Sequence, residues 1–279
     1  MNARELTDQI AAKLAAEVRR NGDIIPYIAE DGVYKTDMRQ KNLSWWTNGF
    51  WAGLLWQMYH AVGVAEFKAT AEKTEGWLDE AMADFTGLHH DVGFMWMLSA
   101  VADYRLTGNE KSRIRAMHAA TLLAGRYNPN GRFLRAWNGD KTGWMIVDCL
   151  MNLSLLYWAS DETGDPRYAE IAQNHADTAL RVLLRPDGSC NHIAVLDPVT
   201  GELTGAPAGQ GYAPGSSWSR GQSWAVYGFA LSAKHTGEAR YLEAAKRSAH
   251  YFIANAATHN WEPLVDFLAP ESPELLDMS

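Results

Sequence analysis

A short turn built on glycine recurs along this chain, and it restricts the possible fold more than any other feature. It reads Thr107-Gly108-Asn109-Glu110, Thr163-Gly164-Asp165-Pro166 and Thr236-Gly237-Glu238-Ala239, with a looser copy at Val62-Gly63-Val64-Ala65. Glycine takes the left-handed conformation that closes a helix, and the residues after it open the next one. The segment before each turn is apolar nearly all round, as in Phe50-Trp51-Ala52-Gly53-Leu54-Leu55-Trp56 and Leu153-Ser154-Leu155-Leu156-Tyr157-Trp158. Such helices are buried on most sides. The segment after each turn is amphipathic. Across 238–257, Tyr241, Leu242, Ala245 and Ala249 share one side, while Glu243, Lys246 and Arg247 share the other. The repeating unit is therefore inner helix, tight turn, outer helix. An N-terminal helix over 4–20 followed by four such hairpins gives about nine helices. Strand signals are weak and confined to loops. Inner helices in a ring, surrounded by outer ones, make an all-α fold of the α/α-barrel kind, expected as a single domain over 1–279.

Two aspartates stand where inner helices begin. Asp91 lies in His89-His90-Asp91-Val92-Gly93-Phe94-Met95, and Asp148 in Ile146-Val147-Asp148-Cys149-Leu150-Met151. A carboxylate beside such apolar runs is poorly solvated and expensive to keep without a partner or a job. Each alone reads equally well as a helix N-cap. Together they suggest two acids facing one cleft. The loops at 127–145 and 185–217 are rich in Gly, Pro, Asn and Asp and lead into inner-helix starts, where a rigid scaffold usually carries its site.

Around these loops the chemistry-bearing residues gather. Arg220, in Trp218-Ser219-Arg220-Gly221-Gln222-Ser223-Trp224, falls in the first turn of a helix, where a cation is disfavoured. An anionic ligand, a carboxylate above all, explains it; so does a salt bridge within the protein. Among 12 tryptophans, Trp45, Trp46, Trp137, Trp218 and Trp224 lie near the loop end, where indole faces suit the C–H faces of sugars. Trp56, Trp96 and Trp158 sit within inner helices and read as core. His192 is a loop histidine. His89 and His90 are not spaced as metal ligands, and no metal or cofactor is expected.

Composition removes other classes. Net charge is −8, with 25 Lys plus Arg against 33 Asp plus Glu and no basic cluster, which argues against a nucleic-acid partner. The two cysteines, Cys149 and Cys190, suggest neither a disulfide framework nor a metal site. No signal peptide or membrane-length stretch is visible, so a cytoplasmic protein with no membrane partner is the expectation.

These segments resemble the unsaturated glucuronyl hydrolases, glycoside hydrolase family 88. The resemblance is carried by Ser44-Trp45-Trp46-Thr47-Asn48-Gly49-Phe50-Trp51, by His90-Asp91-Val92-Gly93-Phe94-Met95, and by Asp148-Cys149-Leu150-Met151-Asn152-Leu153. It continues through Gln210-Gly211-Tyr212 and Trp218-Ser219-Arg220-Gly221-Gln222, so it runs from about Ser44 to Pro270. It implies an (α/α)6 barrel of the six-hairpin glycosidase type and a bacterial enzyme acting on the unsaturated uronyl disaccharides left by polysaccharide lyases. By the same resemblance Asp148 is the general acid/base, protonating C4 of the enol ether and taking a proton from water that attacks C5. Asp91 holds sugar hydroxyls and assists it. Trp45, His90, Trp137, His192, Gln210, Trp218, Arg220 and Trp224 correspond to positions near the substrate.

The family pattern continues beyond Ser279, so about nine of twelve barrel helices are expected here, with self-association over the open edge as a consequence. Three other readings stand beside the main one: an unsaturated rhamnogalacturonyl hydrolase, an inactive truncated sugar-binding remnant, and an inverting glycosidase using the same two acids.

Overall fold

The computed structural model describes residues 2–270. The chain divides into two compact units, Met1–Ala119 and Ala120–Ser279, and the division falls within a helix.

The first unit opens with α1 (Ala3–Asn21), started by a capping box: the Asn2 side chain accepts from the Glu5 N–H, and the Glu5 carboxylate accepts from the Asn2 N–H. A two-residue ribbon, β1 (Ala29–Glu30) with β2 (Val33–Tyr34), and the one-turn α2 (Met38–Lys41) lead to α3 (Asn48–Val62) and α4 (Ala65–Asp84). Then come α5 (Val92–Leu98), α6 (Ala100–Thr107) and α7 (Glu110–Ala124), the helix that holds the division. The hairpin turns form as the sequence predicts. Gly63 and Gly108 are left-handed at φ 71° and 75°, and each N–H donates to the carbonyl four residues back at 2.8 Å. One expectation fails. The inner helix after Asp91 is not continuous but breaks at Ser99, whose hydroxyl donates to the Met95 carbonyl at 2.6 Å. A serine bonding back to the fourth preceding carbonyl competes with the helical ladder and bends it.

This unit buries a polar cluster. Glu75, 1% exposed, accepts from Trp56 Nε1 at 2.8 Å and Ser112 Oγ at 2.8 Å. Arg115 reaches it at 3.3 Å while clamping both oxygens of Asp79 at 2.6 and 2.7 Å. Burial, with the Asp103 carboxylate nearby, pushes the Glu75 carboxyl up to about 7.

In the second unit β3 (Tyr127–Asn128) pairs with β4 (Phe133–Leu134), and β5 (Trp144–Ile146) precedes α8 (Cys149–Thr163) and α9 (Arg167–Val182). After β6 (Ile193–Leu196) and β7 (Leu203–Gly205) come α10 (Ser219–Thr236) and α11 (Ala239–Ala257). Gly164 and Gly237 close the hairpins α8–α9 and α10–α11 as left-handed caps. The inner helix α8 is buried on nearly every side, including Leu150, Leu153, Leu155, Leu156 and Trp158. It meets α10 where a Cβ on Gly228 would collide with the Leu150 backbone, so only glycine permits that approach. Strands are confined to loops, as expected, but they carry consequences. The sheet β5–β6–β7 is antiparallel, with Ile146 opposite Ile193.

Among the described residues there are eleven helical segments. With α2 set aside and α5 and α6 taken as one broken helix, the count agrees with the nine expected. No helix of the described residues is long and apolar enough to cross a membrane.

Candidate active site

The pairing of β5 with β6 places Asp148. Beyond Ile146–Ile193 the ladder continues, with the Val147 N–H donating to the His192 carbonyl at 3.0 Å. Asp148 is the next residue and the first before α8, so strand register alone brings it beside His192. Its backbone is helical, at φ −56° and ψ −29°, and its side chain makes no capping hydrogen bond. The capping explanation therefore does not hold for Asp148. Its Oδ2 is buried without a hydrogen-bond partner and faces His192 Nε2 at 3.6 Å.

His192 is itself 5% exposed and held from behind. The Gln210 N–H donates to its Nδ1 at 2.9 Å, which makes Nδ1 the acceptor and puts the imidazole proton on Nε2, toward Asp148. Its ring packs on Trp218 at 4.4 Å between centroids, and the Arg220 guanidinium lies 4.5 Å from the centre of the same indole. Trp218 is buried, and Trp224 is half-buried one turn along α10 from Arg220. Gln210 contributes here through its backbone; as a residue it is exposed. Trp137 stands edge-on to Trp144 at 5.8 Å, and the Lys141 ammonium rests over both rings at 5.0 and 4.5 Å.

The other expected acid, Asp91, lies in the first unit and is 8% exposed. It also precedes its helix without a side-chain capping bond. Two imidazoles attend it: His90 Nε2 at 3.1 Å from Oδ1, and His89 Nδ1 at 3.5 Å from Oδ2. The histidine rings stack at 4.8 Å. Donor atoms of His89, His90 and Asp91 all fall within 4.8 Å of one another. Sequence adjacency concealed this convergence, and among the described residues it is the one group able to offer a cation three ligands. Trp45 belongs to this unit, between Tyr27 at 6.2 Å and Trp46 at 6.5 Å. Trp46 continues into Phe50 and Phe94.

The profile of Glycosyl Hydrolase Family 88 matches residues 19–259. The chain belongs to this family. The unsaturated glucuronyl hydrolase of Bacillus sp. strain GL1 is 37% identical over 267 residues, 93% of this chain and 69% of that protein. The crystal structure of the Bacillus sp. GL1 unsaturated glucuronyl hydrolase, responsible for the degradation of glycosaminoglycan, superposes with a TM-score of 0.90 at 35% identity, covering 97% of this chain and 73% of that one. The unsaturated chondroitin disaccharide hydrolase of Streptococcus pyogenes serotype M1 is 38% identical over 75% of this chain; the chain spans about half of its length, 53%. An aspartate-to-asparagine variant of the Streptococcus agalactiae unsaturated glucuronyl hydrolase, complexed with dGlcA-GalNAc6S, matches with a TM-score of 0.77 at 29% identity, over 97% of this chain and 68% of that one. The (α/α)6 barrel implied by the resemblance is the fold class of these family 88 structures and of this chain.

Three residues that sequence reasoning passed over bear on these candidates. Lys141 carries no motif. Gly209 matters because a Cβ there would run into the His192 ring, 2.7 Å from Cε1. Asp266, fully buried, accepts from the Ser217 N–H, the Leu268 N–H, the Tyr212 N–H and the Ser216 hydroxyl, at 3.0, 2.9, 3.2 and 2.6 Å. Its signal was readable: it is a carboxylate between Val265 and Phe267, the same pattern that drew attention to Asp91 and Asp148.

Proposed function

We propose that this protein removes the unsaturated uronyl residue from lyase-generated disaccharides by hydrating its C4=C5 double bond. The observation that carries the reading is the half-buried Asp148 carboxylate, whose Oδ2 is buried and unpaired beside an imidazole Nε2, in a chain of family 88. A carboxyl group with an unengaged oxygen in a shielded place can give and take a proton without first breaking a hydrogen bond. In the reading, Asp148 delivers its proton to C4, and C5 becomes an oxocarbenium centre. Water adds at C5 and returns a proton to Asp148. The resulting hemiketal opens, the C1–O bond to the aglycone breaks, and the uronyl fragment leaves as an open-chain keto acid. The Nε2–H of His192 stabilises the carboxylate form between the two transfers.

The other assignments follow the chemistry of each group. Asp91, attended by His89 and His90, accepts hydrogen bonds from sugar hydroxyls. Arg220, resting on Trp218, recognises the uronate carboxylate, and Trp45, Trp137 and Trp224 offer ring faces to sugar C–H groups. The relatives' names support the substrate class: two are called unsaturated glucuronyl hydrolases and one an unsaturated chondroitin disaccharide hydrolase. The reading includes a bacterial cytoplasmic setting and a chain that self-associates. Exposed Phe50 and Leu54 on α3, at 36% and 42%, support the latter.

The test is an absorbance assay on an unsaturated chondroitin or hyaluronan disaccharide, following loss of the conjugated double bond. Steady loss with release of the free amino sugar is the expected result. No loss with these disaccharides, but turnover of an unsaturated rhamnogalacturonyl disaccharide or of a saturated glycoside, would overturn it. Light scattering across protein concentration checks self-association.

A further inference from the structure

Asp266 takes no part in the chemistry proposed above, yet four hydrogen bonds converge on its carboxylate. Its surroundings separate into two sets. The main chain of 265–267 pairs with 217–219 through the Ser219 N–H to the Val265 carbonyl at 3.0 Å and the Phe267 N–H to the Ser217 carbonyl at 2.9 Å, with Trp218 opposite Asp266. That pairing needs no side chain. The carboxylate reaches past it, and its Oδ2 accepts from the Tyr212 N–H and the Ser216 hydroxyl, both in the loop that leads to α10. Gly211 sits against the same oxygen, where a Cβ would stand 3.0 Å from Oδ2, so this loop is drawn in as close as a glycine allows.

The other end of that loop presses on His192. Gly209, left-handed at φ 62°, lies against the imidazole, and Gln210 gives its N–H to Nδ1 at 2.9 Å. A second group competes for Nδ1. The Ala208 carbonyl lies 3.3 Å away and would accept a proton there. With the loop drawn in, the Gln210 N–H wins, Nδ1 is bare, and the proton sits on Nε2 facing Asp148. With the loop relaxed, Nδ1–H to Ala208 becomes available, and Nε2 turns a lone pair toward the carboxylate. We propose that Asp266 is a positioning residue for Asp148: by anchoring 211–217 it keeps Gln210 on His192 and so keeps the His192 proton on Nε2. This rests on the reading of Asp148 as the proton carrier.

Asp266→Asn keeps shape and the main-chain pairing but replaces one acceptor oxygen by a donor among donors. With unsaturated chondroitin disaccharide as substrate, kcat should fall about ten- to a hundredfold, the usual effect of losing a group that orients a reacting residue, with KM changed by less than about threefold. Nitrogen-15 NMR of histidine-labelled protein, with His192 assigned by its loss in His192→Gln, should show the Nε2–H tautomer in the parent protein and a tautomer mixture in Asp266→Asn. Ser216→Ala should move both readouts the same way by less. If Asp266→Asn fails to fold, Gly211→Ala decides, since it keeps the carboxylate and wedges one methyl between it and the loop; the same paired change is expected. A drop in melting temperature with kcat and tautomer unchanged would make Asp266 a structural fastening and overturn the proposal, as would a fall in kcat with the tautomer intact. The tautomer readout needs no turnover. If the parent protein is inert toward the disaccharide and the tautomer change still appears in Asp266→Asn, the functional reading falls and the control of the His192 tautomer by Asp266 stands.

Discussion

Asp91 and Asp148 occupy equivalent places and are treated differently. Each ends the loop before an apolar inner helix, and neither side chain caps that helix. Asp91 has an imidazole on each oxygen, at 3.1 and 3.5 Å. Asp148 has one imidazole at 3.6 Å, outside good hydrogen-bond range, and a buried Oδ2 with no partner. A carboxylate gripped from both sides is a fixed negative acceptor, suited to holding hydroxyls. One with an idle oxygen is suited to carrying a proton. The residue type and helix position are shared, so the division of labour proposed for them rests on the neighbours.

The largest effect should come from removing the idle oxygen. Asp148→Asn is expected to lower kcat on the unsaturated disaccharide by about a thousandfold or more, in the upper range for a lost acid/base group, with circular dichroism unchanged. A folded variant that keeps activity breaks the comparison at its root. Asp91→Asn should cost less, about a hundredfold in kcat/KM. If it costs more than Asp148→Asn, the two roles are reversed. Arg220→Ala tests the cation on the Asp148 side: a loss of about 2 kcal/mol in transition-state binding, roughly thirtyfold in kcat/KM, is expected for a carboxylate contact. Unchanged kinetics would make Arg220 a structural residue.

Glu75 supplies a control, a buried carboxyl bonded on both oxygens and given no part in the proposed chemistry. Its folded-state value of about 7 lies above the ordinary 4.5. Between those values the folded chain holds a proton that the unfolded chain has released. Its contribution to stability is therefore fully present below pH 4.5 and declines as pH rises to about 7. Glu75→Gln imitates the protonated form and should flatten that part of the stability–pH curve, by at most a few kcal/mol at neutral pH, with kcat little altered. Urea unfolding at pH 5 and pH 7.5 on both proteins checks it; parallel curves would place the buried charge elsewhere.

Much of this was legible in the sequence because the responsible physics is local. Gly63, Gly108, Gly164 and Gly237 announce their helix ends because a left-handed cap strongly favours glycine. Asp91 and Asp148 announce themselves because a carboxylate in an apolar run is costly wherever it lies. The break at Ser99 was hidden, since a serine in a helix is common and only its bond to the Met95 carbonyl reveals the bend. The companionship of His192 with Asp148 was hidden more deeply. It depends on the register of two strands, three and four residues long and separated by a whole hairpin, with no alternating pattern to mark them. Asp266 carried the right signature but stood in a stretch without helical period, where nothing indicated what it would meet.

That strand register has a use in protein engineering. Because Val147 and His192 are locked by the ladder, the chain leaving β6 can change length without altering where Asp148 and His192 meet. The turn from Asp197 to Glu202 closes on itself, with Asp197 accepting from the Val199 and Thr200 N–H groups, and Val199 is 74% exposed at its tip. A peptide tag, a fluorophore attachment point or a short carbohydrate-binding graft placed there would ride on the hairpin, leaving the two side chains beneath it in register.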